Sequence, residues 1–135
     1  SAASSLMDAF QALDAQRLVF ISETRQADHD KKLVFLKEAG LDIIANKAMG
    51  LASSDIYCST PPEFWFENVK AMRNDDADAY FISCANIHSI DVIDALEDEL
   101  DRPVITSNQA ALWSALRLAS LNDNISALGR LFKAG

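Results

Sequence analysis

Glycine and proline are scarce in this chain, four and three among 135 residues, and it carries only two cysteines and two histidines. Each scarcity excludes something. Gly40, Gly50, Gly129 and Gly135 are scattered, so there is no glycine-rich loop to cradle a phosphate. Cys58 and Cys84 do not make a disulfide framework, and both are expected to stay reduced, as in a cytoplasm. His29 and His88 lie far apart and neither cysteine has a closely spaced ligand partner, so no metal constellation is present and no cofactor is called for. No apolar run approaches a membrane span. Residues 1–8 lack a basic stretch followed by an apolar one, so they do not read as a secretory signal, and a cytoplasmic location is expected. Cations are also in short supply. Twelve Lys and Arg stand against 20 acids, for a net charge of −8, and they form no stripe and have no aromatic interleaving. A phosphate backbone or an anionic membrane surface would be repelled on average, so neither nucleic acid nor membrane is an expected partner. A small anion is not excluded, because local dipoles and single charges decide its binding.

What is present is the composition of a globular domain: half of the residues are hydrophobic and about a quarter charged. The length suits one core, so residues 1–135 are read as a single α/β domain, with residues 121–135 left unassigned. Apolar spacing alternates between helix and strand. Leu6, Phe10 and Leu13 mark a first helix, and Leu18-Val19-Phe20-Ile21 a buried strand. Leu33, Phe35, Leu36 and Ala39 mark a second helix ending at Gly40, and residues 41–45 a second strand, with a loop from Lys47 to Thr60. Thr60-Pro61-Pro62-Glu63 reads as a capping box opening a helix whose apolar face is Trp65, Val69 and Met72 and which stops at Asn74-Asp75-Asp76. A third strand follows at Ala79-Tyr80-Phe81-Ile82. Ser89 then caps a helix with Ile93, Leu96 and Leu100 on its face, Pro103-Val104-Ile105-Thr106 forms a fourth strand, and residues 110–119 a last helix. The acidic run Glu97, Asp98, Glu99 and Asp101 reads as a solvated face. Strands separated by helices predict a parallel four-stranded sheet covered on both faces, with any ligand beyond the carboxyl ends of the strands.

The residues just past those strand ends carry the candidate chemistry. Cys84 closes the third strand in Ser83-Cys84-Ala85-Asn86, where the following helix would favour a thiolate; the other reading of a strand-end cysteine is a small buried hydrophobe. Asn86 either hydrogen-bonds a carboxylate or ties its turn, and His88 is either a general acid or a bystander. Ser107-Asn108-Gln109 either receives an anion at a helix start or simply caps it. Cys58 is read as structural. A response-regulator receiver has the same fold class, but it needs acids after the first strand and a phospho-acceptor Asp after the third. Ser22 and Cys84 stand there.

The stretch Ala77-Asp78-Ala79-Tyr80-Phe81-Ile82-Ser83-Cys84-Ala85-Asn86 resembles the second cysteine motif of the aspartate/glutamate racemase superfamily, in its maleate isomerase, arylmalonate decarboxylase and ectoine-utilisation branch. So do Leu96-Glu97, the run from Arg102 through Ser107-Asn108-Gln109-Ala110, and Leu112-Trp113 with Leu116-Arg117-Leu118-Ala119. The resemblance implies a flavodoxin-like half of a two-domain fold, here the C-terminal half. It implies cofactor-independent isomerase, racemase or decarboxylase chemistry on a small dicarboxylate or amino-acid-like acid, with maleate isomerase-like activity favoured. Cys84 would be the acid/base at the carbon next to a carboxylate, with Ser83, Ala85, Asn86, Thr24, Ser107 and Asn108 around the substrate. Two departures stand out: Ala85 replaces a common Thr, and Ser22-Glu23-Thr24 replaces Thr-Pro-Tyr, whose Tyr binds a carboxylate. The alternative is a non-catalytic α/β module for small-molecule binding or dimerisation. The resemblance also implies pairing, either with the missing N-terminal half or as a homo-oligomer, with Trp113, Leu116 and Phe132 on the exposed face. If Cys84 is the functional thiol, iodoacetamide should label it faster than Cys58 as pH is raised; equal rates, or a faster Cys58, would remove the assignment.

Overall fold

The computed structural model describes residues 2–51, 61–83, 92–118 and 130–133. The elements run α1 (Ala2–Ala12), β1 (Arg17–Ser22), α2 (Gln26–Glu38), β2 (Asp42–Ala48), α3 (Pro62–Lys70), β3 (Ala79–Ser83), α4 (Ile93–Leu100), β4 (Val104–Thr106) and α5 (Ser107–Leu118), then a 3-10 turn at Arg130–Lys133. The four strands form one sheet in the order β2-β1-β3-β4, every pair parallel. Parallel strands need crossovers, and the helices supply them on both faces, as the alternating pattern predicts.

The pleat divides the core. Leu18, Phe20, Ala79, Phe81 and Ile105 point to one face, under Phe10 of α1, Leu36 of α2 and Trp113 of α5. Val19, Ile21, Tyr80, Ile82 and Val104 point to the other, under Trp65 and Val69 of α3 and Ile93, Leu96 and Leu100 of α4. β2 leads off one side of β1, whereas β3 pairs on the other, so strand order reverses between β1 and β3. In register terms Ser22 lies beside Ser83 at the carboxyl end of this junction. Gly40 follows α2 with φ of 95°, the left-handed conformation expected of a residue closing a helix.

Several boundaries differ from the sequence reading. β2 continues to Ala48, past the expected loop start at Lys47, because Asn46 and Lys47 pair with Phe20 and Ile21 on a half-solvated edge, where polar side chains are tolerated. Ile44 is the extra residue of a bulge between Leu18 and Val19. α3 starts one residue later than the capping box implied. Pro61 is extended at the N-cap and makes no side-chain cap, since the residue before a proline is pushed out of the helical region; Thr60 lies outside the described residues. α3 also ends early, at Lys70, and Asn74 is used elsewhere: its N–H donates to the Tyr80 hydroxyl (2.8 Å). The N-cap of α4 is Val92, and Ser89 lies outside the described residues. Trp113 is 7% exposed and part of the core, not of an exposed face, and Leu116 packs partly against it; the Phe132 side chain lies outside the description. Among the described residues the exposed large hydrophobic side chains are instead Val34, Phe35 and Leu112.

The largest correction concerns Glu97. It is not on a solvated face but buried, accepting hydrogen bonds from the N–H of Val104 (2.9 Å) and of Arg130 (2.9 Å). One carboxylate thus ties the start of β4 to the 3-10 turn. Burial pushes its carboxyl up from the ordinary carboxylate range, and the two N–H donors pull it back only in part. A carboxyl raised in the folded state binds its proton more tightly there, so its contribution to stability is complete in acid and falls as pH rises through the raised range. Glu97→Ala should therefore cost about 3 kcal/mol through the orphaned N–H groups, and the gap from the parent should be widest in acid. Urea unfolding of both at several pH values checks this; a gap that widens toward neutral pH would contradict it.

Candidate functional site

The carboxyl ends of β1 and β3 are polar, and their side chains must find partners because they are buried. Ser22 is fully buried, and its Oγ lies 2.6 Å from Nδ1 of His29, also fully buried, on the first turn of α2. The other ring nitrogen, Nε2, lies 2.9 Å from Asn46 Oδ1 on β2. The imidazole stacks on Phe20 at 4.6 Å between ring centres. A carbonyl oxygen can only accept, so Nε2 carries the hydrogen; in the neutral ring Nδ1 then accepts from the Ser22 hydroxyl. Ser22 has then spent its one hydrogen, and Thr24 Oγ1, 3.0 Å away, donates to it. The hydroxyls run one way, from Thr24 to Ser22 to His29 to Asn46. The backbone behind them is laced as well: N–H groups of Met49, Gly50 and Leu51 donate to the carbonyls of Ser22, Thr24 and Glu23.

The β3 end is served from the same helix. Ser83 is buried, and Lys32 Nζ of α2 donates to its Oγ at 3.0 Å. Lys32, Ser83 and Ser107 form the polar part of a cavity of about 160 Å³, whose apolar part is Leu6, Phe35, Leu36 and Phe81. At β4 the helix start is a reciprocal cap. Gln109 N–H donates to Thr106 Oγ1 (3.2 Å) and Thr106 N–H donates to Gln109 Oε1 (3.1 Å). Gln109 is therefore a capping residue, while Ser107 beside it stays free to face the cavity.

Of the residues expected around a substrate, Ser83 and Ser107 are brought together on one cavity. Thr24 is not; it is turned into the Ser22 hydroxyl. Asn108 sits in the first turn of α5, with its side chain outside the description. Cys84, Ala85 and Asn86, as well as His88 and Cys58, lie outside the described residues. Sequence reading passed over His29, Lys32 and Asn46. A signal existed for the first: His29, Leu33 and Leu36 share one helical stripe, and a histidine on the stripe of a buried leucine faces the core. Among the described residues there is no cluster of three or more side chains able to hold a metal, and no helix long and apolar enough to cross a membrane.

The family model for arylmalonate decarboxylase matches residues 1–132. The chain belongs to the arylmalonate decarboxylase family. It is 26% identical over 134 residues to the maleate isomerase of Nocardia farcinica, covering 98% of this chain and 53% of that protein. To the arylmalonate decarboxylase of Bordetella bronchiseptica it is 24% identical over 119 residues, covering 85% of this chain and 49% of that protein. This member thus spans about half the length of the curated relatives it matches. Its fold superposes with a TM-score of 0.94 on Nocardia farcinica maleate cis-trans isomerase with a covalently bound succinylcysteine intermediate (24% identity; 100% of this chain, 56% of that one). With the maleate isomerase of Pseudomonas putida S16 bound to maleate the TM-score is 0.93 (21% identity; 99% and 54%). The resemblance, read from about Ser5 to Ala119 and most specific from Asp78 onward, is matched by the family model along nearly the whole chain.

The hydroxyl direction at β1 is open to a direct check. Nitrogen-15 spectra of the imidazoles should show His29 as the neutral tautomer with hydrogen on Nε2. Hydrogen on Nδ1 would mean that the relay runs the other way.

Proposed function

We propose that this chain is the cysteine-bearing half, the second in chain order, of a cofactor-independent isomerase or decarboxylase acting on a small carboxylic acid. Cys84 is the acid/base at the carbon next to the carboxylate. The observation that carries this reading is the place of Ser83. It ends β3 at the point where strand order reverses, it is buried, and it lies against Lys32 and the cavity. Ligands of open α/β sheets bind at that place, and Cys84 is the next residue in the chain.

The chemistry asked of the thiol is proton transfer. When a carboxylate leaves as carbon dioxide, or a proton is taken from the neighbouring carbon, the electron pair stays behind as an enediolate. The thiol gives its proton to that carbon and becomes a thiolate, which regains a proton from solvent. A nearby ammonium such as Lys32 favours the charged forms in each step. The names of the relatives supply two substrate forms: a short dicarboxylate such as maleate, or a malonate bearing an apolar arm. Racemase-type transfer between two faces would need a second acid/base, from a second half of the protein or a second copy of this chain. Asn86, Ala85 and Asn108 remain candidates for holding substrate carboxylates.

Cys84→Ala in the full-length protein should abolish turnover of maleate or an arylmalonate, a loss of at least about a hundredfold. It should leave the circular dichroism unchanged, since a small residue at a strand end leaves a cavity costing on the order of 1–2 kcal/mol. Undiminished turnover would remove Cys84 from the mechanism.

A further inference from the structure

Thr24, Ser22 and His29 make a directed chain of hydrogen bonds from the crevice to a buried base. We propose that His29 is a proton store for the carboxyl end of the sheet. A proton taken up at Thr24 passes through Ser22 to the imidazole, and its arrival turns the Thr24 hydroxyl from one aimed inward into one that donates outward. This device is independent of the part given to Cys84.

Access is the first argument. Ser22 and His29 are fully buried, whereas Thr24 is half-buried just past the end of β1. The far side of the imidazole is closed to proton traffic. Nε2 already carries a hydrogen, and its partner there, the Asn46 side-chain carbonyl at 2.9 Å, has no proton to give. Nδ1 is the basic atom, and it meets the Ser22 hydroxyl at 2.6 Å. Ser22 in turn meets Thr24 Oγ1 at 3.0 Å. The route from solvent to the base therefore runs along two hydroxyls.

The direction of the hydrogens is the second. With His29 neutral, each hydroxyl donates toward it. When a hydronium ion gives a proton to Thr24 Oγ1, Thr24 passes its own hydrogen to Ser22 Oγ, and Ser22 passes its own to Nδ1. One N–H bond forms at the ring, each oxygen gains one hydrogen and loses one, and a water molecule is left behind. No side chain has to rotate. The resulting chain is inverted: Nδ1–H donates to Ser22, Ser22 donates to Thr24, and the new Thr24 hydrogen points outward. The end of β1 thus offers an acceptor while His29 is neutral and a donor while it is charged.

The third argument is that the place can hold the charge. A buried ion is costly unless its donors are met. Both N–H groups of an imidazolium here have an acceptor, Ser22 Oγ and Asn46 Oδ1. The ring also lies on Phe20 at 4.6 Å between centres, within the range of a cation–π contact. The surrounding charges are mixed. Arg25 at the N-cap of α2 and Lys32 further along it lie on the same side of the helix as His29, and Asp28 and Asp30 flank it in sequence and are exposed. Glu23 is the buried acid that follows Ser22. On β2, Lys47 donates to Asn68 of α3 at 3.4 Å, on the other face of the sheet, and β3 brings no charged side chain. Histidine is the side chain suited to such a store, since it changes charge nearest neutral pH.

The test uses the full-length protein without ligand and two magnetic-resonance readouts. One is the nitrogen-15 shifts of His29. The other is solvent exchange of the Thr24 hydroxyl, followed through the deuterium isotope splitting of its Cβ signal in mixed light and heavy water. As pH is lowered, both ring nitrogens should take imidazolium shifts while the backbone spectrum is retained. Thr24 exchange should step up at the same pH by about fivefold or more, as its protecting hydrogen bond is lost. His29→Gln, which cannot take up a proton, should remove the step. Thr24→Val closes the outer end of the chain. His29 should then charge and discharge at least about tenfold more slowly, measured by relaxation dispersion, and Thr24→Ser should restore the rate. Valine keeps the shape of threonine, so this arm decides the matter if the Gln variant folds poorly. Four outcomes would each overturn the proposal: His29 neutral down to the pH of unfolding, charging without a step at Thr24, a step that survives in His29→Gln, or an unchanged rate in Thr24→Val.

Discussion

Two serines end neighbouring parallel strands inside the protein, and most of the site follows from satisfying them. Ser22 and Ser83 sit side by side in register at the reversal of strand order, away from bulk water. A buried hydroxyl without a partner costs about 1–3 kcal/mol, so each must be met by another side chain. Both partners, His29 and Lys32, come from α2. That requirement fixes how α2 lies on the sheet. It also recruits Asn46 from the edge strand to hold the far side of the imidazole. The edge strand, the crossover helix and the two central strands are locked together by two sets of side-chain hydrogen bonds that both start from α2, at the carboxyl end of the sheet.

The opposite end of the sheet is built differently. There Asp78 accepts the N–H groups of Gln16 and Arg17 (3.0 and 2.9 Å), clipping the start of β1 to the start of β3. Those two donors hold its carboxyl below the usual range. Glu97 does the same service for β4 and the 3-10 turn. Acids at this end accept from fixed backbone groups. At the other end Lys32 and Ser107 have hydrogen-bonding capacity left over beside an apolar cavity. The surplus, rather than the presence of polar groups, distinguishes that end of the sheet.

Membership of the arylmalonate decarboxylase family fits this division. Family members whose names describe maleate isomerisation and arylmalonate decarboxylation share the fold over this chain, at about a quarter identity. The fold persists at this low identity.

The sequence by itself determined the elements, their order, the parallel sheet and the end at which to look, because buried strands and helix faces write apolar periodicity directly into the chain. It also pointed to Ser83, Cys84 and Ser107, since residues just past strands lie at the crevice whatever the side chains are. It did not reveal Glu97 as a buried clasp, because Glu97 opens an acidic run and its N–H donors, Val104 and Arg130, meet it only in the fold. It left Trp113 between core and interface, as helical spacing cannot say whether an aromatic side chain meets a neighbouring helix or a partner surface. Nor did it single out Lys32, His29 or Asn46. Their roles depend on hydrogen bonds that cross 51, 7 and 17 residues of chain, respectively, and such pairings exist only once the crossovers have brought α2 and β2 against the strand ends. Periodicity is a property of neighbours along the chain; the direction of a hydroxyl and the freedom of an ammonium are properties of neighbours in space.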